Sequence, residues 1–186
     1  MRVIAGKYKS RVLKTVKSSL TRPTTDKNKE NLFNMIGPYF EGGTVLDLFA
    51  GSGGLGIEAI SRGMDNLYAV DKQYAAISVI RENIKSLGLE NAHVMKMDYR
   101  KALEQFKETK TVFDLVILDP PYGMKINYQI LETLAAQGNL HPGCLIVVED
   151  LNEEKKEVKA PFILKKEAQY GITTIQIMRY EEADKC

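Results

Sequence analysis

The stretch that decides the fold is "TVLDLFAGSGGLGIEAIS", residues 44–61, in which an apolar run leads through a glycine-rich loop into a helical pattern. Gly51, Gly53 and Gly56 match the spacing G-x-G-x-x-G. In that pattern the glycines allow a tight turn, a close approach of the backbone to a ligand and close packing of the helix on the strand. The order of strand, loop and helix indicates a nucleotide-containing ligand, although glycines at such a site can also simply form a turn.

Short apolar runs alternate with helical spacing along most of the chain. Predicted strands, rich in valine, isoleucine and leucine, occupy residues 44–49, 66–71, 92–98, 113–119 and 144–150. Predicted helices begin at Gly54 and at about Asp26 and cover residues 75–87, 99–106 and 127–136. Strands separated by helices indicate a parallel sheet covered on both faces.

The carboxyl-terminal part has a different pattern. Residues 162–170 and 172–180 both read as strands, and only Gly171 separates them, which predicts an antiparallel hairpin. We therefore predict an α/β fold with a Rossmann-like, doubly wound, mostly parallel seven-stranded sheet that ends in an antiparallel hairpin. A short β-ribbon extension at the amino terminus, where apolar and basic residues alternate around Gly6, completes this prediction.

Length and composition favour one globular unit. The chain has 186 residues, of which 44% are apolar, which is enough for a sizeable core. We expect residues 1–24 to form the basic ribbon and residues 25–186 to form the main domain of the same unit. Since no apolar run approaches a membrane span or a signal peptide, we expect a cytoplasmic protein that does not bind membranes. We also expect a monomer. The cysteines and histidines lack metal-ligand spacing, so no metal site is expected: Cys144, Cys186, His93 and His141.

The charge distribution indicates a nucleic-acid partner. Residues 1–29 contain nine basic residues and one acid, a net charge of +8, which leaves −6 for the rest of a chain whose total is +2. Clustered lysine and arginine bind phosphates favourably because binding releases counterions. A solvated basic face without a partner remains the alternative.

Acidic residues recur where the predicted strands end. Asp47 precedes the glycine loop, and Asp71 and Asp98 end the next two strands. A carboxylate near the loop disfavours a pyrophosphate, whereas it suits a ligand with an amino group and a sulfonium cation. Asp71 could accept both hydroxyls of a ribose, and Asp98 could accept an adenine amine. The three acids favour S-adenosylmethionine over NAD, although each could instead cap a loop.

The fourth strand ends in "DPPY", residues 119–122. The carboxylate of Asp119 and the carbonyl oxygen of Pro120 could accept the hydrogens of an exocyclic amine, so that its lone pair turns toward a methyl donor. The two prolines make the segment rigid, and Tyr122 offers a ring on which a flipped base can stack. The alternative is a strand that simply ends in a proline turn with a packed tyrosine.

Four motifs resemble those of class I S-adenosylmethionine-dependent methyltransferases: "LDLFAGSGGLG", "AVD", "MKMD" and "ILDPPYG". The segment "LTRPTTDKNKENLFNMI" and the basic start are similar to those of the RsmD-type 16S ribosomal RNA guanine-N2 methyltransferases, although lysines and Asn28 stand where that family more often has arginines. The resemblance implies S-adenosyl-L-methionine as the cofactor, bound by Asp47, Phe49, Gly51, Gly53, Gly56, Asp71, Asp98 and Tyr99. It also implies catalysis by Asp119, Pro120 and Tyr122 and contacts to RNA from Lys7, Lys9, Arg11, Arg22 and Thr24.

The expected function is therefore methylation of a guanine N2 amine in small-subunit ribosomal RNA, either free or within a ribosomal subunit particle. One alternative is an amine methyltransferase that acts on DNA adenine or on a protein glutamine. A DNA enzyme of this kind usually needs a recognition domain, for which 186 residues leave little room. Two further alternatives are a non-catalytic RNA-binding module, which the intact "DPPY" segment argues against, and an NAD-dependent oxidoreductase.

Overall fold

The computed structural model describes residues 1–16 and 26–182. Within these ranges, helices and strands alternate in the predicted order. The helices are α1 (Asp26–Ile36), α2 (Gly54–Ser61), α3 (Tyr74–Leu87), α4 (Tyr99–Thr109) and α5 (Asn127–Ala136). The strands are β1 (Thr44–Asp47), β2 (Asn66–Asp71), β3 (Ala92–Lys96), β4 (Phe113–Leu118), β5 (Leu140–Leu151), β6 (Phe162–Tyr170) and β7 (Thr173–Tyr180).

The strands form one seven-stranded sheet in the order β3-β2-β1-β4-β5-β7-β6. Strands β1 to β5 are parallel, and β7 lies antiparallel between β5 and β6. The chain order reverses between β1 and β4, and ligands of doubly wound sheets bind beyond the carboxyl ends of the strands at such a point. The predicted fold class is confirmed.

A separate hydrophobic core covers each face of the sheet. Val45 of β1 and Phe33 of α1 belong to the core that α1, α2 and α3 cover. Leu46 of β1 belongs to the opposite core, together with Phe106 of α4 and Leu131 of α5. Because successive side chains of a strand point to opposite faces, β1 supplies both cores.

Strand β5 begins four residues before the predicted start at Cys144. Leu140 pairs with Phe113, and the register then shifts before Leu145 pairs with Leu115. The irregularity accommodates Pro142 and Gly143, residues that sequence patterns associate with loops. The two-residue turn between β6 and β7 agrees with the predicted hairpin, since Tyr170 pairs with Thr173.

Residues 1–16, here called the amino-terminal arm, form a hairpin that is shorter than the predicted ribbon. One antiparallel bridge joins Arg2 to Val12, and the residues between them are mainly turns. The side chains of Val3 and Leu13 are buried in the same core as α1, α2 and α3. The arm is therefore part of the folded domain.

A buried carboxylate fixes the arm to the domain. Glu58 of α2 accepts hydrogen bonds from the backbone N–H groups of Ile4 and Ala5, at 2.8 and 3.0 Å. The same carboxylate pairs with Lys29 Nζ at 3.2 Å and with Arg62 Nε at 2.8 Å. Because these arm amides bond to a side chain, they are not available to extend the ribbon.

The arm also lies in backbone contact with the end of α2. Gly6 has a φ of +81°, and a Cβ atom at this position would stand 1.7 Å from the carbonyl oxygen of Ser61. The N–H of Lys7 donates to that same oxygen at 2.8 Å. Only glycine allows this approach, which explains Gly6 in the basic segment.

Within the described ranges, no helix is long and apolar enough to cross a membrane.

Candidate active site

A cavity of about 420 Å³ opens at the carboxyl ends of β1, β2 and β4, where the strand order reverses. Its volume lies within the usual range for a small-molecule site. Predicted site residues that line it are Phe49, Gly51, Asp71, Asp98, Tyr99, Asp119, Pro120 and Tyr122. The structure thus brings together residues from four separate segments of the sequence.

The three glycines of the loop have different positions relative to this cavity. Gly51 lines it with a φ of +54°, and a Cβ atom there would meet nothing within 4 Å. Gly53 adopts a φ of +77°, but a Cβ atom there would point at Ile80 and Ile57, away from the cavity. Gly56 lies deeper, where a Cβ atom would stand 2.5 Å from the side chain of Leu67. Gly51 therefore leaves room for a ligand, whereas Gly53 and Gly56 shape the loop and its packing.

Asp71 lies at the end of β2 and faces the cavity. Its Oδ2 accepts a hydrogen bond from the N–H of Gly51 at 3.0 Å, and its Oδ1 accepts one from the N–H of Gln73 at 2.8 Å. Two backbone donors thus fix the carboxylate beside the glycine loop. Each oxygen keeps a lone pair that can accept a ligand hydroxyl.

Asp47 lies behind the glycine loop, and the structure does not place it in the cavity lining. The side chain is 3% exposed, and its Oδ2 accepts from the N–H of Gly56 at 3.1 Å. Burial raises the pKa of Asp47 to about 7, with a further contribution from the charge of Asp71. The alternation along β1 explains the position, since Asp47 shares the face of Val45, which α2 covers.

Aromatic side chains and Asp98 form the wall on the β3 side. Asp98 is the N-cap of α4 and accepts from the N–H of Arg100 at 3.0 Å, so it both caps the helix and lines the cavity. The rings of Phe49 and Tyr99 lie 5.7 Å apart, centroid to centroid. This wall offers an apolar surface for an aromatic ligand ring beside a carboxylate.

Asp119, Pro120 and Tyr122 follow β4 at the opposite wall. Burial raises the pKa of Asp119 well above its ordinary value, and the negative charge of Glu149 adds to this effect. Tyr122 remains 47% exposed at the cavity mouth. The wall combines a carboxyl group that resists ionisation with a ring that is accessible to a planar group.

Glu149 also lines the cavity, and the sequence interpretation did not identify it. Leu118 of β4 pairs with Val148 of β5, so the next residues, Asp119 directly after β4 and Glu149 within β5, lie side by side at the same level. Glu149 could have been predicted only from the pairing of β4 with β5, and the spacing of residues in the sequence does not show which strands are neighbours. The β6–β7 turn also reaches the cavity through Tyr170, Gly171 and Thr173.

The basic residues predicted to contact RNA lie at a distance from the cavity. Lys7 and Lys9 are exposed on the turn of the arm that contacts the carboxyl-terminal end of α2, whereas the cavity lies at its amino-terminal end. The eight residues of α2 place these ends about 12 Å apart. Arg11 donates through Nη2 to the carbonyl oxygen of Ser86 at 2.8 Å, near the far end of α3. The predicted contacts Arg22 and Thr24 lie outside the described residues.

The arm nevertheless connects to the glycine loop. The N–H of Val16 donates to Ser52 Oγ at 2.9 Å, and Asn83 Nδ2 donates to the carbonyl oxygens of both Ser52 and Lys14. Val16 itself lines the cavity. The arm therefore runs along α3 to the cavity from the turn that carries Lys7 and Lys9, here called the basic turn.

Over residues 1–16 and 26–182, no group of three or more histidine, cysteine, aspartate or glutamate side chains is arranged to hold a metal ion.

Comparison with known proteins shows the family. The sequence profile of the family described as "Conserved hypothetical protein 95" matches residues 1–179. A Bacillus subtilis protein named "Putative rRNA methyltransferase YlbH" is 43% identical over 181 residues, which are 96% of this chain and 98% of that protein. The "Ribosomal RNA small subunit methyltransferase D" of Haemophilus influenzae is 32% identical over 179 residues, covering 95% of this chain and 92% of that protein.

Solved structures agree with this result. The fold matches that of "Putative methyltransferase yhhF" from Escherichia coli with a TM-score of 0.86 and 30% identity, over 98% of this chain and 99% of that chain. The profile match, the two relatives and this structure all span nearly the whole chain. The chain therefore belongs to the Conserved hypothetical protein 95 family, the RsmD-type family of ribosomal RNA methyltransferases that its motifs resemble.

Proposed function

We propose that the protein methylates the exocyclic N2 amine of a guanine in small-subunit ribosomal RNA, with S-adenosyl-L-methionine as the methyl donor. The observation that carries the proposal is the position of "DPPY" at the end of β4, in the same cavity as Gly51 and Asp71. A donor held near β1 and β2 and a base held near β4 would meet within this cavity. The relatives named as small-subunit ribosomal RNA methyltransferases support the class of substrate.

The residues on the β1–β3 side fit the donor. Gly51 leaves open space where any other residue would project a Cβ atom, and Asp71 beside it can accept the two hydroxyls of a ribose. Tyr99 and Phe49 provide an apolar wall for an adenine ring, with Asp98 as an acceptor for its amine. When bound, the cofactor supplies a methyl group made electrophilic by its sulfonium sulfur.

The residues after β4 fit the amine. An exocyclic amine is a weak nucleophile because its lone pair is delocalised into the base. Asp119 Oδ and the carbonyl oxygen of Pro120 accept its two hydrogens, which directs the lone pair away from both acceptors. The ring of Tyr122 stacks on the base and holds it in the cavity mouth.

The guanine preference follows from the acceptor set. Guanine presents its N1 hydrogen and its N2 amine side by side, so two neighbouring donors face the wall formed by Asp119 and Glu149. Adenine presents a ring acceptor beside its amine, and a carboxylate cannot donate to that acceptor. Once nitrogen has formed its new bond, it carries one proton too many, and ionised Asp119 is positioned to accept that proton.

Nucleoside mass spectrometry tests the proposal. Small-subunit ribosomal RNA from a strain that lacks the gene should contain one N2-methylguanosine fewer per molecule than wild-type RNA. A wild-type copy of the gene should restore it, and an Asp119→Asn copy expressed at the same level should not. Unchanged N2-methylguanosine, or loss of a methylated adenosine instead, would contradict the proposal.

A further inference from the structure

The first residue of α3 is an aromatic residue that the fold leaves in solvent. Tyr74 is 71% exposed, although the two residues before it, Lys72 and Gln73, line the cavity. Lys96, the last residue of β3, places its Nζ 5.2 Å from the centre of the Tyr74 ring. An exposed ring beside an ammonium group suits the stacking of an unpaired nucleic-acid base.

Two basic residues continue from Tyr74 along the same face of α3. Arg81 and Lys85 follow it by seven and eleven residues, which are about two and three helical turns. Both side chains are exposed, whereas Ala76 and Ile80 turn the opposite face of the helix into the core. Tyr74, Arg81 and Lys85 therefore form one stripe, here called the α3 stripe.

The α3 stripe covers the distance between the cavity and the basic turn of the arm. Arg11 binds the carbonyl oxygen of Ser86 at the far end of α3, and Tyr74 to Ser86 is about 18 Å along the helix axis. The lysines of the arm turn lie at the carboxyl-terminal end of α2, about 12 Å from its end at the cavity. The stripe thus lies between these two positions.

The charges along this route favour a polyanion. The acid next to the stripe, Glu82, forms an ion pair with Lys14 of the arm. At the cavity mouth, Asp98 lies 3.5 Å from the guanidinium of Arg100, and Lys72 and Lys96 are exposed. The positive charges of the stripe and the mouth are therefore not cancelled by these acids.

We propose that the α3 stripe binds a single-stranded segment of the ribosomal RNA next to the methylated nucleotide, with one unpaired base stacked on Tyr74 and phosphates at Arg81 and Lys85. This inference rests on the proposed function, because it takes RNA as the substrate. It adds a contact surface outside the cavity and assigns Tyr74 to RNA and not to the cofactor.

Paired tyrosine variants test the stacking contact. Binding of a protein-free small-subunit ribosomal RNA transcript should weaken about five- to tenfold in Tyr74→Ala and remain near wild type in Tyr74→Phe, which keeps the ring. Tyr39 is the matched control, because it is 65% exposed but lies just before β1 begins, at the end of the sheet opposite the cavity. Tyr39→Ala should bind the transcript as wild type does, and S-adenosylmethionine affinity should be unchanged in all three variants.

Charge variants test the phosphate contacts. In Arg81→Ala/Lys85→Ala, the slope of log affinity against log salt should fall by about 0.7 for each phosphate contact removed. The control is Lys107→Ala/Lys110→Ala at the end of α4, which covers the opposite face of the sheet. This control should leave the slope unchanged.

Three outcomes would overturn the inference. Transcript affinity in Tyr74→Ala equal to that in Tyr39→Ala would remove the stacking contact, and weaker cofactor binding would assign Tyr74 to the cofactor. A defect seen with assembled ribosomal particles but not with the transcript would assign the stripe to a ribosomal protein. The proposed function fails separately, if the wild-type protein leaves ribosomal RNA unmethylated. Methylation by the wild type together with unchanged transcript affinity in Tyr74→Ala rejects the stripe alone.

Discussion

Three aspartates stand at the ends of β1, β2 and β4, and their surroundings differ. Asp71 is held by two backbone N–H groups at the cavity, whereas Asp47 receives one and lies beneath α2. Asp119 lies beside Glu149 in the wall that follows β4. Burial therefore raises the pKa values of both Asp47 and Asp119, but Asp47 lies within the packed domain and Asp119 lies where a substrate would bind.

Asp119→Asn tests the contact with the base edge. The amide keeps the shape of the side chain but places a donor where guanine also presents donors. We expect S-adenosylmethionine affinity to be retained and single-turnover methylation of guanine-containing RNA to fall by more than tenfold, about 1.4 kcal/mol. Near wild-type rates would show that Asp119 does not read the base and that the RNA fold selects the nucleotide.

The raised pKa of Asp119 predicts how the rate depends on pH. The carboxylate must be ionised to accept donors, and burial keeps it protonated to a higher pH than an ordinary aspartate. The value of kcat/KM should therefore rise with pH below this raised pKa and level off above it. Asp119→Asn should lack this rise, so the same profile in both proteins would exclude Asp119 as its source.

Asp47 predicts a pH effect on stability. Its pKa is about 7 in the folded protein and is near 3.8 when the side chain is free in solution, so ionisation disfavours the fold increasingly between these values. In Asp47→Asn this penalty is absent, while an oxygen remains for the N–H of Gly56. From pH 5 to pH 8, the variant should gain about 2 to 3 kcal/mol of unfolding free energy relative to wild type. Denaturant titrations at both pH values measure this difference, and a constant offset would contradict it.

At the scale of elements, the contact between the arm and α2 depends on a buried ionic cluster. Lys29 and Glu58 are both 0% exposed, and Arg62 is 3% exposed. Burial lowers the pKa of Lys29, while the charge of Glu58 opposes this shift. Since Glu58 also binds two arm amides, one carboxylate joins α1, α2 and the arm.

Glu58→Gln should therefore destabilise the protein by about 3 to 5 kcal/mol, because it leaves a buried lysine without its counterion. The double variant Glu58→Gln/Lys29→Met should recover only part of this loss, since Lys29 is then no longer charged but Arg62, the other buried partner of Glu58, still lacks its counterion. Glu82→Gln is the control: its partner Lys14 is exposed, and the change should be below about 1 kcal/mol. Equal losses in Glu58→Gln and Glu82→Gln, measured by urea unfolding, would refute this role.

The elements also show what sequence patterns can predict. Strands such as β1 and β4 are identifiable because short runs of valine, isoleucine and leucine between turn residues usually form buried strands in a globular protein. The arm was harder to predict, because its amides bond to Glu58, which lies more than 50 residues away in sequence. The site was predictable where strand ends place Asp71 and Asp119, but not where it depends on the pairing of β4 with β5, as for Glu149.

At the scale of the whole molecule, charge and topology separate two regions. The cavity lies at the carboxyl ends of the strands, and the basic turn of the arm lies at the other end of α2 and α3. Among the described residues of the basic segment, Lys7, Lys9 and Arg11 thus lie away from the proposed reaction. An RNA long enough to span both regions could contact them at once.

The basic turn predicts a salt-dependent contribution to RNA binding. In Lys7→Ala/Lys9→Ala/Arg11→Ala, the affinity for the ribosomal RNA transcript should fall and the salt slope should decrease by up to about 2, at about 0.7 per phosphate contact. Cofactor affinity, measured by calorimetry, should not change. Lys165→Ala, an exposed position on β6, serves as the control. An unchanged slope in the triple variant would make these residues a solvated face only.

The docking of the arm has a consequence for limited proteolysis. The first 16 residues contain five cleavage sites for trypsin. The side chains of Glu58, Ser61 and Asn83 accept hydrogen bonds from the backbone of this arm and hold it against α2 and α3. A protease needs an extended segment of chain in its active site, so cleavage within the arm requires that the arm first leave the domain. The rate of cutting after Lys7 or Lys9 therefore reports how often the hairpin opens, and bound RNA should slow it.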